Sequence, residues 1–408
     1  MWDLFYWGDP YLRDVAAGIA VKKKGLALIT IKTRNPTTIM TTLPARILPK
    51  SSWLKALFDD YLSGVRLSEE QALQLLLVDA EDEQALWSFA DHIRAKRVGD
   101  TVFYSSTLYL YPTNFCQFNC TFCSFYAKPG NPSGWFFTPD QLISRIKESP
   151  SPITETHIVA GCYPSCNLAY YEELFTKIKK HFPDLHIKAL SAVEYDYLAK
   201  LENLSVREVM ERLRIAGLDS IPGGGAEILV DEVRETLSRG RLSSQGFLDI
   251  HRTAHSLGIP SNATMLCYHR ETPADIVTHL SKLRALQDET SGFKNFILLK
   301  FASENNALGK RLQKITSRHS IPPATIIAVA RLFLDNFANI KALWNYLGLD
   351  VALHLLSCGA NDFSSTHQGE KVFQMASSQK PIRMDIEGMA NLIMQQGRIP
   401  CLVNSKEV

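Results

Sequence analysis

Short apolar segments alternate with amphipathic segments through most of this 408-residue chain, and that alternation limits the possible folds more than any other feature. An apolar segment followed by a helix-length amphipathic segment is typical of a β-strand joined by a helix to the next parallel strand. Eight candidate strands predict an α/β fold, a (β/α)8 barrel of the TIM type. The candidates lie at 108–113, 156–160, 186–190, 218–221, 261–266, 296–300, 343–346 and 355–357.

Two further parts precede the predicted barrel, which occupies 101–408 together with C-terminal helices and barrel-closing elements. Residues 46–100 have a helical period, and Ser68-Glu-Glu-Gln71 forms a capping box ahead of an apolar run. This part is predicted to be an N-terminal helical extension. Residues 1–45 have no clear pattern. Three interpretations stay open for them: a packed accessory segment, a disordered leader, or an over-extended start upstream of Met40.

Composition excludes several classes of protein. The hydrophobic share of 46% and the charged share of 21% are ordinary for a globular protein, and a net charge of +2 gives no basis for nucleic-acid binding. Eight cysteines are too few for a disulfide scaffold at this length. No apolar run approaches the roughly 18 residues of a membrane-spanning helix, and the N-terminus lacks the basic start of a signal peptide. We therefore expect a cytoplasmic protein with no nucleic-acid or membrane partner.

Three cysteines, Cys116, Cys120 and Cys123, follow the first predicted barrel strand at CX3CX2C spacing. Iron–sulfur clusters are held by cysteine thiolates, and a cubane cluster has four irons to ligate. Three thiolates therefore leave one iron open, and the amino and carboxylate groups of S-adenosylmethionine are suited to chelate it. The motif predicts a [4Fe-4S] cluster and S-adenosylmethionine as cofactors. Phe122, beside the last cysteine, is a candidate contact to them.

Two other interpretations of the three cysteines stay open at this point. They could form a zinc site that lacks one ligand, or they could be buried thiols that only pack. Structural zinc sites commonly combine paired CX2C units with further cysteine or histidine ligands, which this stretch does not offer. The spacing favours the cluster, and it resembles that of the radical S-adenosylmethionine superfamily.

Polar residues and glycines lie where the other predicted strands end, which is where barrels gather their chemistry. Gly161 ends the second strand and is a candidate cofactor contact. Glu194 and Glu227 could hold the ribose or amino groups of S-adenosylmethionine or act as acid or base, with a surface ion pair as the alternative for each. Asn262, on an apolar strand, requires a ligand or a buried partner. His269 is a candidate for proton transfer, or a buried histidine that is already hydrogen-bonded.

Two other motifs are interpreted as structural. His251-Arg-Thr-Ala-His255 resembles a zinc-protease helix only superficially, since the required glutamate is missing and the segment lies within a barrel helix. Cys162 and Cys166 have CX3C spacing and could ligate a second cluster. Two thiols are too few for that, so packing is the favoured interpretation.

The stretch from about residue 99 to 309 resembles the radical S-adenosylmethionine enzymes of the menaquinone (futalosine) pathway, a branch that also includes the deazaflavin FO synthases. Within this branch the segments His186-Ile-Lys-Ala and Ala192-Val-Glu look most like the aminofutalosine synthases. Further matching runs are Pro112-Thr-Asn-Phe-Cys116, Leu218-Asp-Ser-Ile-Pro-Gly-Gly-Gly-Ala-Glu-Ile228, Gly258-Ile-Pro-Ser-Asn-Ala-Thr-Met265 and Leu286-Gln-Asp-Glu-Thr290.

The resemblance implies a transferase that adds the 5′-deoxyadenosyl radical to the enol-ether double bond of 3-[(1-carboxyvinyl)oxy]benzoate. S-adenosylmethionine would be consumed as a co-substrate. The products would be 6-amino-6-deoxyfutalosine and bicarbonate, and the expected reductant is a flavodoxin or ferredoxin. The alternatives are the dehypoxanthine futalosine cyclase, or an FO-synthase-like relative with another aromatic or nucleoside substrate. A non-catalytic iron–sulfur or zinc protein is the remote alternative.

A substrate with two carboxylates needs cationic or amide donors in a dry site. Arg270 and the backbone amides of Gly223, Gly224 and Gly225 are the candidates for substrate binding, although a run of glycines can also be a simple tight turn. Asp362 ends a run that matches the family, Gly359-Ala-Asn-Asp, and it is a candidate catalytic residue.

The chain departs from the family pattern at three positions in predicted site loops. Tyr163 stands where a histidine of a Gly-Leu-His-Pro run is usual, and Ala302 stands where a Phe-His-Pro run is common. Ser364 lies in Phe363-Ser-Ser-Thr366, which replaces the usual Leu-Asp-Gly-Thr. These departures concern the identity of the substrate more than the radical chemistry.

Overall fold

Parallel strands and the helices between them make up most of the chain in residues 48–312, 319–380 and 382–405, which the computed structural model describes. The predictions for residues 1–45 lie outside these ranges. The strands are β1 (Thr101–Ser105), β2 (Thr107–Leu110), β3 (Glu155–Ile158), β4 (His186–Ala189), β5 (Ser261–Cys267), β6 (Phe293–Lys300), β7 (Asn339–Lys341), β8 (Asp362–Ser365) and β9 (Ile399–Leu402).

Sixteen helices occur within the same described residues. They are α1 (Ser52–Leu62), α2 (Glu69–Leu76), α3 (Ala80–Val98), α4 (Pro139–Lys147), α5 (Leu168–His181), α6 (Ala192–Glu202), α7 (Val206–Ala216), α8 (Asp231–Leu237), α9 (Ser244–Ser256), α10 (Pro273–Thr290), α11 (Ala307–Leu312), α12 (Pro323–Phe333), α13 (Trp344–Leu347), α14 (Leu349–Leu355), α15 (Val372–Ala376) and α16 (Ile386–Gln395). None of them is long and apolar enough to cross a membrane.

Backbone pairing links the strands into a ring of eight positions, all parallel. One sheet has the order β5-β6-β7-β8-β1-β9 and the other β2-β3-β4. The bridges Lys188↔Ser220 and Ile221↔Ser261 join β4 to β5 through a fourth position, and Leu108↔Gln368 joins the end of β8 to β2. Because β1 and β2 are separated by Ser106 alone, they act as one strand that pairs with β8 and with β3. This is the predicted barrel architecture.

Three helices precede the barrel, as the helical period predicted. The capping box of α2 is confirmed, because the Ser68 side chain accepts from the Gln71 N–H and the Gln71 side chain accepts from the Ser68 N–H. The extension packs on α12. The Trp87 indole donates to Thr325 Oγ1 over 3.0 Å, and the Tyr61 hydroxyl donates to the Leu332 carbonyl over 3.2 Å.

The predicted strands at 343–346 and 355–357 are wrong. The first segment is helical as α13, and the second follows the end of α14. The seventh and eighth strands are β7 and β8, whose polar residues hide them from a search for apolar runs. Those polar side chains are buried, and three of them, Lys341, Ser364 and Ser365, face the barrel interior. The helix α6 was not predicted, because the segment Ala192-Val-Glu was interpreted only as the end of a strand.

The predicted fourth strand, 218–221, is reduced to two single bridges. Its Asp219 carboxylate accepts the Ile187 N–H over 2.8 Å, a donor that a regular ladder would pair with a backbone carbonyl. The Lys179 ammonium holds the same carboxylate at 2.7 Å. Side-chain bonds therefore replace part of the strand pairing at this position.

A polar cluster closes the lower end of the barrel, near the first residues of the strands. Glu155 Oε1 accepts from Lys188 Nζ at 2.6 Å and from Thr107 Oγ1 at 2.7 Å. Its other oxygen accepts from the backbone N–H and hydroxyl of Ser405 at 2.8 and 2.5 Å. Ser405 follows β9, which pairs with β1. We call Glu155, Lys188 and Ser405 the barrel floor.

Burial lowers the pKa of several histidines within the protein. His251 and His255 share the Ser261 hydroxyl at 2.8 and 2.7 Å, in agreement with the structural interpretation of this motif. The lowered pKa values are about 3 for His157, His251 and His279, and about 4 for His186 and His255.

The free energy of unfolding should fall as the pH falls from about 6.5 to about 3. Between these values the unfolded histidines bind protons that the folded ones do not, so acid favours the unfolded state. Substitution of His251 by Asn should remove about 2 kcal/mol of the loss between about pH 6.5 and pH 5. Urea unfolding at several pH values measures this slope. Substitution of the exposed His181 by Asn is the control, and equal slopes for the two variants would contradict the prediction.

Candidate active site

The CX3CX2C motif lies in the loop that follows β2, at the carboxyl ends of the strands. One side chain organises its first turn. Lys128 Nζ donates to the carbonyls of Cys116, Gln117 and Phe118 at 3.0, 2.7 and 3.1 Å. Because three carbonyls converge on one ammonium, the backbone around Cys116 is held in a tight curve. The cysteine side chains of the motif are all partly exposed.

The helices α8 and α11, together with Asn305 just before α11, hold the rest of the motif. The Thr121 N–H donates to the Leu237 carbonyl over 2.9 Å, and the Leu308 N–H donates to the Thr121 carbonyl over 2.8 Å. The Ser124 hydroxyl donates to the Asn305 carbonyl over 2.8 Å. The motif is therefore fixed by segments from distant parts of the chain.

The thiols of the motif differ in their surroundings. The adjacent Cys162 thiol and nearby backbone N–H groups lower the pKa of the Cys116 thiol to about 6. Burial raises the pKa of the Cys123 thiol to about 11. Burial also raises the pKa of the Cys120 thiol, and the Arg241 guanidinium opposes part of that rise. The first cysteine is thus the one that most readily presents a thiolate at neutral pH.

Arg241, in the loop between α8 and α9, is a buried cation beside the motif. Its Nη1 lies 3.2 Å from Cys120 Sγ and 3.1 Å from Glu227 Oε1. Its Cζ lies 5.8 Å from the centre of the Phe122 ring, within range of a cation–π contact. Sequence reasoning missed this residue, because only the folded chain brings position 241 to position 120.

A cavity occupies the interior of the barrel. Its volume is about 200 Å³. The walls combine aromatic, aliphatic and charged side chains with the backbone of the glycine loop. Among the lining residues are Tyr109, Tyr111, His157, Tyr346, Ile297, Leu299, Lys188, Lys341, Gly223, Gly224, Asn262 and Ser364.

Two lysines bring positive charge to the cavity wall. Lys188 pairs with Glu155 at 2.6 Å, and Lys341 pairs with Asp362 at 3.1 Å. An ammonium has three donors, so each lysine keeps at least one N–H beyond its carboxylate partner. Burial raises the pKa of Asp362, and the Lys341 ammonium opposes part of that rise. Neither lysine was proposed from the sequence, although a lysine within the short buried strand β4 is an unusual feature that could have indicated one of them.

The triple glycine connects the cavity with the motif. Gly223 and Gly224 line the cavity, and a methyl group on Gly223 would lie 2.7 Å from the Asn262 carbonyl oxygen. Gly225 has a φ of +96°, and a methyl group there would lie 3.8 Å from Arg241 Nη2. This loop therefore needs glycine both for its conformation and for its close approach to β5. Asn262, as the sequence suggested, faces the same cavity.

Gly161 and Glu194 lie beside the motif. A methyl group on Gly161 would lie 2.1 Å from the Phe115 carbonyl oxygen and 3.0 Å from Cys116 Cβ, so only glycine fits there. Glu194 accepts from the Ala160 N–H at 2.8 Å and from the N–H and hydroxyl of Ser191 at 2.7 and 2.6 Å. Burial raises its pKa to about 7. Since both oxygens already accept hydrogen bonds, this carboxylate acts first as a cap that ties β3 to α6.

Four other predicted site residues do not line the cavity. His269 is enclosed, with Nε2 2.8 Å from the Leu266 carbonyl and Nδ1 3.1 Å from Glu271 Oε2. Arg270 is exposed. Glu227 has a φ of +46° and pairs with Arg241, and Asp362 reaches the cavity only through Lys341. Their catalytic or binding roles stay predictions.

The donor chemistry of the motif fits an iron–sulfur cluster. Three thiols lie on one loop, with a guanidinium beside one of them and a glycine where any side chain would collide with Cys116. No three histidine, cysteine, aspartate or glutamate side chains in the described ranges come together to hold a single metal ion. A cubane cluster takes each thiolate on a different iron, so its ligands need not converge as those of one zinc ion do.

A parallel α/β barrel with a CX3CX2C loop after its first strand defines a radical S-adenosylmethionine enzyme. The family model "Radical SAM superfamily" matches residues 110–283, and the model "CofH/MqnC C-terminal region" matches residues 290–407. The chain belongs to the radical S-adenosylmethionine superfamily, in the branch with this C-terminal region. It is thereby an enzyme that uses a [4Fe-4S] cluster and S-adenosylmethionine, as the sequence predicted.

Relatives of known activity cover most of the chain. An aminodeoxyfutalosine synthase of Thermus thermophilus is 38% identical over 340 residues, which are 83% of this chain and 91% of that protein. A 5-amino-6-(D-ribitylamino)uracil–L-tyrosine 4-hydroxyphenyl transferase of Methanoculleus marisnigri is 35% identical over 353 residues, 85% of this chain and 95% of that protein. A cyclic dehypoxanthine futalosine synthase of Streptomyces coelicolor is 35% identical, over 85% of this chain and 86% of that protein.

Solved structures agree with the fold. The crystal structure of methylornithine synthase has a TM-score of 0.69 at 18% identity, and the match covers 86% of this chain and 98% of that one. An FeFe-hydrogenase maturase of Carboxydothermus hydrogenoformans has a TM-score of 0.64 at 16% identity, with coverage of 85% and 79%. At such identities the likeness concerns the fold alone.

Proposed function

We propose that this enzyme is an aminodeoxyfutalosine synthase, with 3-[(1-carboxyvinyl)oxy]benzoate as its substrate. The observation that carries the proposal is the barrel cavity, which joins aromatic walls to two buried lysines. An aromatic ring with two carboxylates needs this combination, because each carboxylate must find a charged donor once water is excluded. The similarity to the synthase of Thermus thermophilus points the same way.

We propose that Cys116, Cys120 and Cys123 hold the cluster. When bound, the cluster and S-adenosylmethionine supply a 5′-deoxyadenosyl radical. Asn262 and the Gly223 and Gly224 backbone would position ligands between the motif and the cavity.

The lysines and aromatic side chains would position the acceptor in the cavity. Lys188 and Lys341 would each bind one carboxylate. Tyr109 and Tyr111 line the same space, with ring centres 6.2 Å apart, and would pack on the benzoate ring. A packed ring and two fixed carboxylates would hold the enol-ether double bond in one orientation. Addition of the 5′-deoxyadenosyl group to that bond would then be favoured over abstraction of a hydrogen atom.

The three departures from the family pattern lie in different places. Tyr163 packs beside Phe115 and Phe136, with ring centres 5.3 and 6.3 Å apart, and it does not line the cavity. Ala302 accepts a hydrogen bond from the Asn306 side chain through its carbonyl oxygen. Ser364 alone faces the cavity, where its hydroxyl lies 3.0 Å from His367 Nε2. A serine in place of a carboxylate leaves the cavity less negative, which favours an anionic substrate.

Incubation of the reconstituted, reduced enzyme with S-adenosylmethionine and the carboxyvinyloxybenzoate tests the proposal. We expect an adduct with the mass of 6-amino-6-deoxyfutalosine, together with bicarbonate, measured by liquid chromatography and mass spectrometry. Accumulation of 5′-deoxyadenosine without an adduct would contradict the synthase assignment.

Parallel incubations separate the alternatives. Dehypoxanthine futalosine tests the cyclase activity, and L-tyrosine with 5-amino-6-(D-ribitylamino)uracil tests the activity named for the archaeal relatives. Turnover of either in place of the benzoate would reassign the enzyme within its branch. We also propose a flavodoxin or ferredoxin as the electron donor and a cytoplasmic setting, since the cluster requires a reducing compartment.

A further inference from the structure

Arg241 connects three groups that sequence reasoning had kept apart. Its Nη1 lies between Cys120 Sγ, at 3.2 Å, and Glu227 Oε1, at 3.1 Å. The guanidinium also lies over the Phe122 ring and beside Gly225. The Arg241 and Glu227 side chains are only 10% and 11% exposed. A buried arginine stays charged, so this loop places a permanent positive charge against one cysteine of the motif.

Arg241 has a further donor that is enclosed by the protein. Its Nε is buried and lacks a hydrogen-bond partner among the described residues. Arg234 holds the surrounding loop by donating to the carbonyls of Gly225, Ala226 and Leu242. The position of Arg241 is therefore set by the glycine loop on one side and by α8 on the other. The protein therefore holds a fixed positive charge next to the motif, suited to bind a negative charge.

The charge has a defined chemical consequence for a cluster bound there. The reduction potential of an iron–sulfur cluster depends on its net charge, on hydrogen bonds to its sulfurs and on its exposure. Reduction adds one negative charge, so a hydrogen bond and a cation at a ligating sulfur stabilise the reduced form. The Glu227 carboxylate acts against this, because it cancels part of the charge of the guanidinium.

We propose that Arg241 raises the reduction potential of the cluster through an N–H···S hydrogen bond to Cys120, and that Glu227 limits the rise. Arg241 is a positioning residue that acts through Cys120 on the electron-transfer step. The proposal rests on the cluster site and holds for any substrate of the enzyme, so failure of the synthase assay leaves it intact.

The test is a redox titration of the reconstituted enzyme in the absence of S-adenosylmethionine. The enzyme is titrated with dithionite in the presence of redox mediators. The reduced cluster is followed by electron paramagnetic resonance. We expect Arg241→Gln to shift the midpoint potential to lower values and Arg241→Lys to shift it less, since lysine keeps the charge but loses the planar donors. Glu227→Gln should shift it in the opposite direction, to higher values.

The opposite signs distinguish an electrostatic role from a structural one. A variant that only loosens the loop would change cluster content or thermal stability. Its shift in midpoint potential would not change sign with the charge that was removed. Iron and sulfide content are therefore measured for every variant. An unchanged potential in a cluster-loaded Arg241→Gln variant would overturn the proposal. If that variant does not retain its cluster, the Glu227→Gln variant is the test. A shift of its midpoint potential to lower values, or no shift, would overturn the proposal.

Discussion

Replacement of Cys120 by alanine should leave the enzyme without a stable cluster and without cleavage of S-adenosylmethionine. The remaining two thiols cannot hold three irons, and the Arg241 guanidinium loses the sulfur that it contacts at 3.2 Å. Iron and sulfide per chain after anaerobic reconstitution measure the first effect. Formation of 5′-deoxyadenosine under reducing conditions measures the second.

Cys166→Ala is the matched control for this experiment. Cys166 is 2% exposed and belongs to the apolar core, so its loss should reduce neither iron content nor turnover. An equal loss of iron in both variants would assign Cys166 to the cluster and contradict the packing interpretation. Full iron content and turnover in Cys120→Ala would refute the role of the motif itself.

Substitution of Lys188 by methionine should destabilise the protein by about 3–5 kcal/mol. The change leaves Glu155, which is 0% exposed, as a buried carboxylate without its cation at 2.6 Å. The double variant Glu155→Gln/Lys188→Met should recover most of that loss, because a neutral amide can still bond to Ser405 and Thr107. Urea unfolding of both variants measures the difference between their free energies of unfolding.

The KM of these two variants should not follow their free energies of unfolding. Both variants lack the cation that faces the cavity, so both should show a KM for the carboxyvinyloxybenzoate raised at least about tenfold. Lys200→Met is the control, because Lys200 pairs with Asp196 at the surface, where such pairs contribute little. A double variant as unstable as Lys188→Met, or one with an unchanged KM, would contradict the prediction.

Local patterns predicted the parts of this fold that depend on local bonds. The capping box at Ser68 begins α2 where the sequence placed it, because the cap is made by residues three positions apart. The strands β2 to β6 were likewise found as apolar runs, whereas β1 was not among the predicted strands. The polar strands β7 and β8 were missed, since Lys341, Ser364 and Ser365 face a cavity that the sequence does not show.

The candidate site divides in the same way. The sequence alone singles out the cysteines, the triple glycine and Asn262, because their spacing and their position relative to a strand identify them. Arg241 and Cys120 are 121 positions apart, and no local pattern links them. Lys341 was missed because its strand was placed elsewhere. Sequence reasoning therefore identified the cysteine motif, while the charges beside the motif and in the cavity wall required the folded chain.

The barrel floor has a consequence for how this enzyme matures. Ser405 bonds to Glu155, and β9 pairs with β1, so the lower end of the barrel joins segments about 250–300 positions apart. Contacts between such distant segments form late in folding. During synthesis the floor cannot close before residue 405 has left the ribosome, although the cysteine loop has emerged long before. A complete barrel is therefore available to receive a cluster only after residue 405 has been synthesised.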